Sequence, residues 1–308
     1  MKEITKQLLN IISDDELEND GYKGAYNIRE DGGCVGRMSS DNIKIENKTD
    51  APGLVITIAP NTKGEKVSIP ACVTHGDVDD LVYNDFHVGS NSDVIIMAGC
   101  GVHTETGEPA RHSGIHNFYL EKNSKVKYIE KHVGTGKGAG IRSIDPVTNV
   151  FLAEGAVLEM DTAQIGGVDK SVRTTTAKLD KQAKLIIKEK ILTEQRQYAA
   201  TEFNVELNGD DCGVDLMSRA VAKDNSTQVY HSVIKGNAKC TGHSECDAII
   251  SENGKVDAAP ELHARNTDAA LIHEAAIGKI AGEQILKLQT LGLTEKEAEA
   301  TIIEGFLN

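Results

Sequence analysis

The densest group of side chains able to bind a metal is Cys240-Thr-Gly-His243-Ser-Glu245-Cys246, followed by His263, His273 and Glu274. Thiolates hold iron and sulfide-bridged clusters firmly, whereas imidazole and carboxylate bind more exchangeably, so a mixed set suits metal that is to be handed on. The gap between the two cysteines is unlike the short spacings of stable zinc or ferredoxin sites. By spacing alone, the reading of these thiols as small buried apolar groups stays open beside the ligand reading.

Other chemistry-bearing matches fail on their own requirements. Gly134-Thr-Gly-Lys137-Gly138 has neither the four residues between glycines nor the Ser or Thr after Lys of a phosphate loop, which argues against ATPase activity in this chain. His112 and His116 have the spacing of two ligands on a helix face, but no Glu follows the first and the surroundings are not helical, so a turn or strand is expected there. There is no Gly-x-Ser-x-Gly elbow and no acidic pair spaced for glycoside hydrolysis.

The elements that must position these residues follow from periodicity. Ile4, Leu8, Leu9, Ile11 and Ile12 predict an amphipathic helix over about 3–18. After Asp31-Gly32-Gly33, and clearly from Gly53, apolar residues alternate, as in Leu54, Ile56, Ile58 and in Ala183, Leu185, Ile187, which predicts short strands. Turn pairs recur at Asn208-Gly209, Asp224-Asn225, Gly236-Asn237 and Asn253-Gly254. Closely spaced corners without intervening helices disfavour a βαβ fold and suit a β-solenoid or a β-sandwich, which periodicity does not separate. Leu271, Ile272, Ala275, Ile285, Leu286 and Leu288 predict a helix between Asp268 and Leu291, stopped at Gly292. Thr294-Glu-Lys-Glu297 is a capping box that opens a last helix to about Phe306. This helix pair is readable as a cap on the β core or as a docking surface.

Composition narrows the class. A chain of 308 residues with 39% apolar content can build a real core. Its 33 Lys plus Arg against 47 Asp plus Glu give a net charge of -14, which repels nucleic acid and anionic lipid surfaces. No apolar run reaches the roughly 18 residues of a membrane span, and the first twenty residues lack the features of a signal peptide. Six dispersed cysteines in a chain of this size point to reduced thiols in a cytoplasmic protein, with Cys34, Cys72, Cys100 and Cys212 expected mainly to fill the core. Aromatic content of 4% and the absence of Trp remove base-stacking platforms.

Two stretches carry a family resemblance: HSECDAII, APELHA and DAALIHEAAIGKIAGEQILKLQTLGLTEKEAEATIIEGF within residues 243–306, and SGIHNFYLEKNSKVKYIEKHVG over Ser113 to Gly134. They resemble the SufB/SufD family of iron-sulfur cluster assembly proteins, in the Cys-Asp step, the Pro-containing strand, the His-Glu-Ala helix start, the Gly-Leu-Thr turn and the terminal Gly-Phe. The resemblance covers roughly residues 40–308 and implies a mainly β fold, a right-handed parallel β-helix with short N-terminal and C-terminal helical segments. The expected organisation is an N-terminal helical segment and linker over 1–40, a β-helix core over 41–266, and a C-terminal helical segment over 267–308 that docks a SufC-type ABC ATPase.

Carried over residue by residue, Cys246 matches the essential cysteine of SufB, His273 the histidine shared by SufB and SufD, and Glu274 the glutamate after it; Cys240 and His243 have no such match. The implied cargo is a transient iron-sulfur cluster held by Cys246, His273 and Glu274, with a sulfur donor protein and iron as inputs. The chain departs from typical SufB in lacking the long N-terminal helical region, in Ile272 where another Glu is common, and in Leu291 where Arg is usual. It thus resembles the single subunit of minimal two-component systems, which implies a homodimer with two ATPase subunits. ATP-driven closure would then expose the site residues at the dimer interface, and the chain itself would be a non-catalytic scaffold. Two rivals are an adaptor of the ATPase that holds no iron and a carbohydrate-active β-helix enzyme, the latter disfavoured by the C-terminal motif.

Overall fold

The structure, a computed structural model, describes residues 1–13 and 24–307. The chain winds as a β-solenoid of about 8 turns. Lys170 pairs in parallel with Tyr198, Tyr198 with Thr227 and Thr227 with Lys255, so successive coils are offset by 28 or 29 residues here. Each coil contributes one strand to each of two sheets. One sheet stacks Lys63–Val73, Asp93–His103, Lys125–Thr135, Val157–Ile165, Lys184–Thr193, Gly213–Ala222, Thr241–Ile250 and Ala270–Gly278. The facing sheet ends on Thr227–Gly236 and Lys255–Ala264. The solenoid alternative to the sandwich is therefore the one realised.

Period-2 alternation places the core between the sheets. In Lys184–Thr193, Leu185, Ile187 and Ile191 face inward, each stacked on an inward residue of the coils above and below. Full burial of such a side chain stabilises by about 1.5–3 kcal/mol. Aromatics take part where they occur: Phe86 stacks on Phe118 at 4.6 Å, and Tyr128 meets Phe118 edge-on at 5.1 Å.

Corners repeat as strictly as strands. Asn61, Asn91, Asn123, Gln182 and Asp211 hold positive φ on successive coils, with Gly155 filling the place between Asn123 and Gln182. Asn and Asp tolerate this left-handed conformation through local hydrogen bonding, which explains the recurring turn residues. The glycine run after Val133 has a packing cause as well. A Cβ at Gly136 would lie 2.2 Å from the carbonyl oxygen of Thr104, and one at Gly138 2.3 Å from that of Thr106, because the two loops stack backbone on backbone. His112 and His116 lie on the strand Ala110–Leu120, both facing inward, as their non-helical surroundings predict.

Among the described residues three helices, α1 (Glu3–Ile12), α2 (Gly282–Thr290) and α3 (Glu295–Leu307), lie outside the solenoid. The predicted continuation of the first helix to about residue 18 falls outside the described residues. Leu8 and Ile12 of α1 sit where Gly101 and Gly99 leave room; a Cβ there would come within 3.0 and 2.9 Å of them. The predicted Asp268–Leu291 helix is corrected: Ala270–Gly278 is a strand, and only Gly282–Thr290 is helical. Its residues pair in register with Thr241–Ile250, and that ladder outweighs the helical spacing of Leu271, Ile272 and Ala275. Strands thus run from Ala25 to Gly278, past both expected edges of the core at 41 and 266. Cys34 is corrected too, being exposed rather than packed, while Cys72, Cys100 and Cys212 are buried. The capping box forms as read, with Glu297 accepting from the Thr294 amide and Thr294 Oγ1 accepting from the Glu297 amide.

Polar groups are buried near the N-terminal end. Arg29 donates twice to Asp80, which also meets His112 Nδ1 at 3.1 Å. His116 is neutral, its value pushed down to about 4 by burial, with Glu130 opposing and nearby positive groups adding to the shift. The unfolded chain takes up this proton below about 6.5 and the folded chain resists it. Stability is therefore fully present above 6.5, falls as pH drops toward 4, and loses about 3 kcal/mol over that window on this account. Urea unfolding of His116→Phe between pH 7 and 4 should show a shallower loss than the wild type; identical slopes would refute the assignment.

Candidate functional site

The strands Thr241–Ile250 and Ala270–Gly278 bring the sequence-selected residues together at the C-terminal end of the solenoid. Cys246 lies opposite Ala275, Ser244 opposite His273, Glu245 opposite Glu274, and His243 opposite Ile272. Alternation sends Gly242, Ser244, Cys246 and Ala248 inward and His243, Glu245 and Asp247 outward. In-register pairing gives the last strand the same parity, with Leu271, His273 and Ala275 on the inner side and Ile272 and Glu274 on the outer. Because no further coil covers this strand, His273, Glu274 and Ala275 are all exposed.

Cys246 is 3% exposed, one coil beneath that open end. Burial, with Glu189 and Asp247 adding repulsion, pushes its thiol up to about 12. A group so placed is a protonated thiol at neutral pH and needs a bound cation or a proton acceptor to become a ligand.

On the outer face, His243 Nδ1 is 2.9 Å from Asp215 Oδ1, and its Nε2 is 3.9 Å from Glu274 Oε2. Burial and the neighbouring Asp247 raise the pKa of Glu245. Glu274 therefore shares a face with His243 and Glu245, while Cys246 and His273 share the other. Cys240 is buried in the core at the turn before the strand, its thiol also raised by burial, and His263 pairs with Glu261 at 3.4 Å. Among the described residues no three His, Cys, Asp or Glu side chains converge on one point in this conformation. The predicted ligands are two faces of one strand pair.

Sequence reading missed the polar row that leads to the thiol. Glu130, Thr162, Glu189, Ser218 and Cys246 occupy the same inward position on five successive coils. Arg173, from the facing sheet, has Nη1 2.8 Å from Glu130 Oε2 and Nε 3.3 Å from Glu189 Oε1. Tyr128 and His132 also contact Glu130, at 2.7 and 3.3 Å. Burial pushes the Glu130 carboxyl up, but His132 and Arg173 together hold it well below the usual range. Glu189 accepts from Thr201 at 3.0 Å and from Ser218 at 3.1 Å, yet burial prevails and its pKa is raised. The signal was present: Glu130 and Glu189 fall on the apolar parity of otherwise alternating strands.

Residues 83–306 match the family described as SUF system FeS cluster assembly, SufBD core domain. An iron-sulfur cluster assembly SufBD family protein of Archaeoglobus fulgidus is 29% identical over 266 residues, 86% of this chain and 70% of the relative. One of Methanothermobacter thermautotrophicus is 28% identical over 268 residues, 85% of this chain and 64% of the relative. A third, of Methanocaldococcus jannaschii, is 26% identical over 294 residues, 92% of this chain and 90% of the relative. The chain thus spans about two thirds of the length of the first two relatives.

The exposed methyl of Ala275 is the side chain paired above Cys246, so it sets access to the thiol from the open end. In Ala275→Leu, alkylation of Cys246 by a small reagent, followed by peptide mass spectrometry, should slow severalfold, while exposed Cys34 reacts at its wild-type rate. Equal Cys246 rates in the two proteins would show that entry is not through this end.

Proposed function

This chain belongs to the SufBD core domain family of the SUF iron-sulfur cluster assembly system, and from that premise we propose that it is a scaffold on which clusters are built. The observation that carries the reading is that Cys246, His273 and Glu274 all lie within the matched span and on one pair of neighbouring strands at the open end of the solenoid. A buried soft ligand next to exchangeable imidazole and carboxylate groups is suited to hold a cluster briefly and release it. Iron and sulfide are cargo here, and the chain catalyses no bond cleavage of its own.

Two surfaces support a larger assembly. The strands Lys255–Ala264 and Ala270–Gly278 each end a sheet, leaving ladder groups and partly apolar inner faces for a second copy of the chain. A homodimer through this end would seal the coil over Cys246 and bring two sets of His273 and Glu274 together. The second surface is α2, which buries none of its residues and presents Leu286 at 61% exposure, with Leu291 after it at 72%. α3, by contrast, buries Ile303 and Leu307 against Val221. An apolar flank beside a docked helix suits a partner protein, and a SufC-type ABC ATPase in the cytoplasm is the partner in this reading.

Anaerobic reconstitution with iron, sulfide and the ATPase tests the proposal. Cys246→Ser should lose cluster content while keeping the fold and ATPase stimulation; full cluster content in this variant would refute the site. If the wild type takes up no cluster yet stimulates the ATPase, the chain is an adaptor. Leu286→Asp should weaken ATPase binding, read by co-purification, without lowering the melting temperature. A monomeric mass at micromolar concentration, with and without the ATPase, would refute the dimer.

A further inference from the structure

Cys212 and Cys240 are neighbours in space. Each immediately precedes a strand, and those strands pair in register from Gly213 opposite Thr241. The corner they occupy returns on every coil with the same backbone hydrogen bond. The Lys184 amide donates to the Ala156 carbonyl at 2.9 Å, Gly213 to Ala183 at 2.9 Å, Thr241 to Cys212 at 3.1 Å and Ala270 to Cys240 at 2.9 Å. The two thiols therefore stand one above the other, with Ala183 on the coil before and Ala269 on the coil after. Alanine fills this corner on the flanking coils, so packing does not call for a thiol on either.

Both side chains turn into the main core, Cys212 at 1% exposure and Cys240 at 3%. Cys240 Sγ lies over Gly236, which stands in register where the coils before have Leu207 and Leu179; a Cβ on Gly236 would come within 3.0 Å of the sulfur. Stacked coils lie about 4.8 Å apart, inside the Cα separation of about 4.4–6.8 Å that a disulfide spans. No other two cysteines are so placed. Cys72 packs under α1 with Leu8 and Leu9, whereas Cys100, on the adjoining strand, packs on the other side with Ala71 and Val102. Cys246 lies along the strand from Cys240, about 20 Å away at the rise of an extended chain.

We propose that Cys212 and Cys240 are a redox pair that closes into a disulfide between successive coils, with a small peroxide as the oxidant. One thiol takes an oxygen from the peroxide as the O–O bond breaks, giving a sulfenic acid and one water. The second sulfur attacks the sulfenic sulfur, the S–S bond forms, and a second water leaves. The peroxide thus gains two electrons and both thiol protons. Burial pushes the Cys212 thiol up to about 11 and raises that of Cys240, so both rest protonated at neutral pH and closure is slow. The bond staples the coil that begins at Gly213 to the one that begins at Thr241 and leaves Cys246 a thiol. It goes beyond the scaffold reading and stands whether or not Cys246 holds a cluster.

The test treats the reduced, metal-free, full-length chain with hydrogen peroxide under argon at neutral pH, quenches with an alkylating reagent, and maps the unreduced peptides by mass spectrometry. A linked pair of peptides carrying Cys212 and Cys240, released by dithiothreitol, is expected. The melting temperature should rise by about 5 °C, because the staple closes a loop one coil long. Cys212→Ala and Cys240→Ala should each lose the link and the rise, and should fold like the wild type because alanine already holds this corner at Ala183 and Ala269. Cys246→Ser should form the link at the wild-type rate, which separates the pair from the cluster site; loss of the link there would overturn direct closure. Alkylated Cys212 and Cys240 after peroxide treatment of the folded wild type, or a link that forms only in urea, would overturn the pair.

Discussion

Everything in this molecule depends on in-register parallel stacking of coils. A side chain on one coil lies directly over the residue at the same position of the next, so like residues accumulate into ladders along the axis. Aliphatic ladders supply most of the core, and aromatic pairs such as Phe86 and Phe118 join them. The corners obey the same constraint, with a left-handed residue returning once per coil. Gly138 is needed because stacking brings one loop's backbone against another's, and Gly136 for that reason and for its positive φ.

The same stacking makes a polar residue on the inner parity consequential. Once one coil places a carboxylate inward, the neighbouring coils and the facing sheet must satisfy it, since water is excluded. Glu130 is answered by Tyr128, His132 and Arg173, and Glu189 by Thr201, Ser218 and a more distant contact with Arg173. Here the polar row ends beneath the last coil at a thiol. The buried ion pairs and the thiol at the open end are thus parts of one column, although Glu130 and Cys246 are more than a hundred positions apart in the chain.

A solenoid must also stop. The N-terminal end is closed by antiparallel strands, Ile43–Asn47 against Gly53–Ile58, with Ile43 and Ile45 buried. The C-terminal end has no such cover: its last strand is exposed on both faces and presents His273 and Glu274 on opposite sides. α3 packs along the flank near Val221 rather than across the end, with Arg219 donating to the Phe306 carbonyl oxygen at 3.1 Å. The solenoid is thus closed at one end and open at the other.

Much was legible in the chain itself. Alternation from Gly53 onward specifies strands because the side-chain period of a strand is two, and recurrent Asn, Asp and Gly specify corners because those residues tolerate positive φ. The Thr294 to Glu297 capping box acts within four residues and formed as read. The ligand candidates Cys246, His273 and Glu274 were recognised from a linear motif, which needs no contacts. What the tertiary structure decided is the outcome of long-range pairing. Leu271, Ile272 and Ala275 satisfy a helical period, yet a ladder with Thr241–Ile250 makes them a strand, because the free edge of Thr241–Ile250 presents backbone groups that a strand can pair and a helix cannot. The same ladder divides the adjacent His273 and Glu274 between inner and outer faces. It also joins Glu189 and Ser218 to Cys246, since coil-to-coil register, and not nearness in sequence, decides which buried polar groups meet.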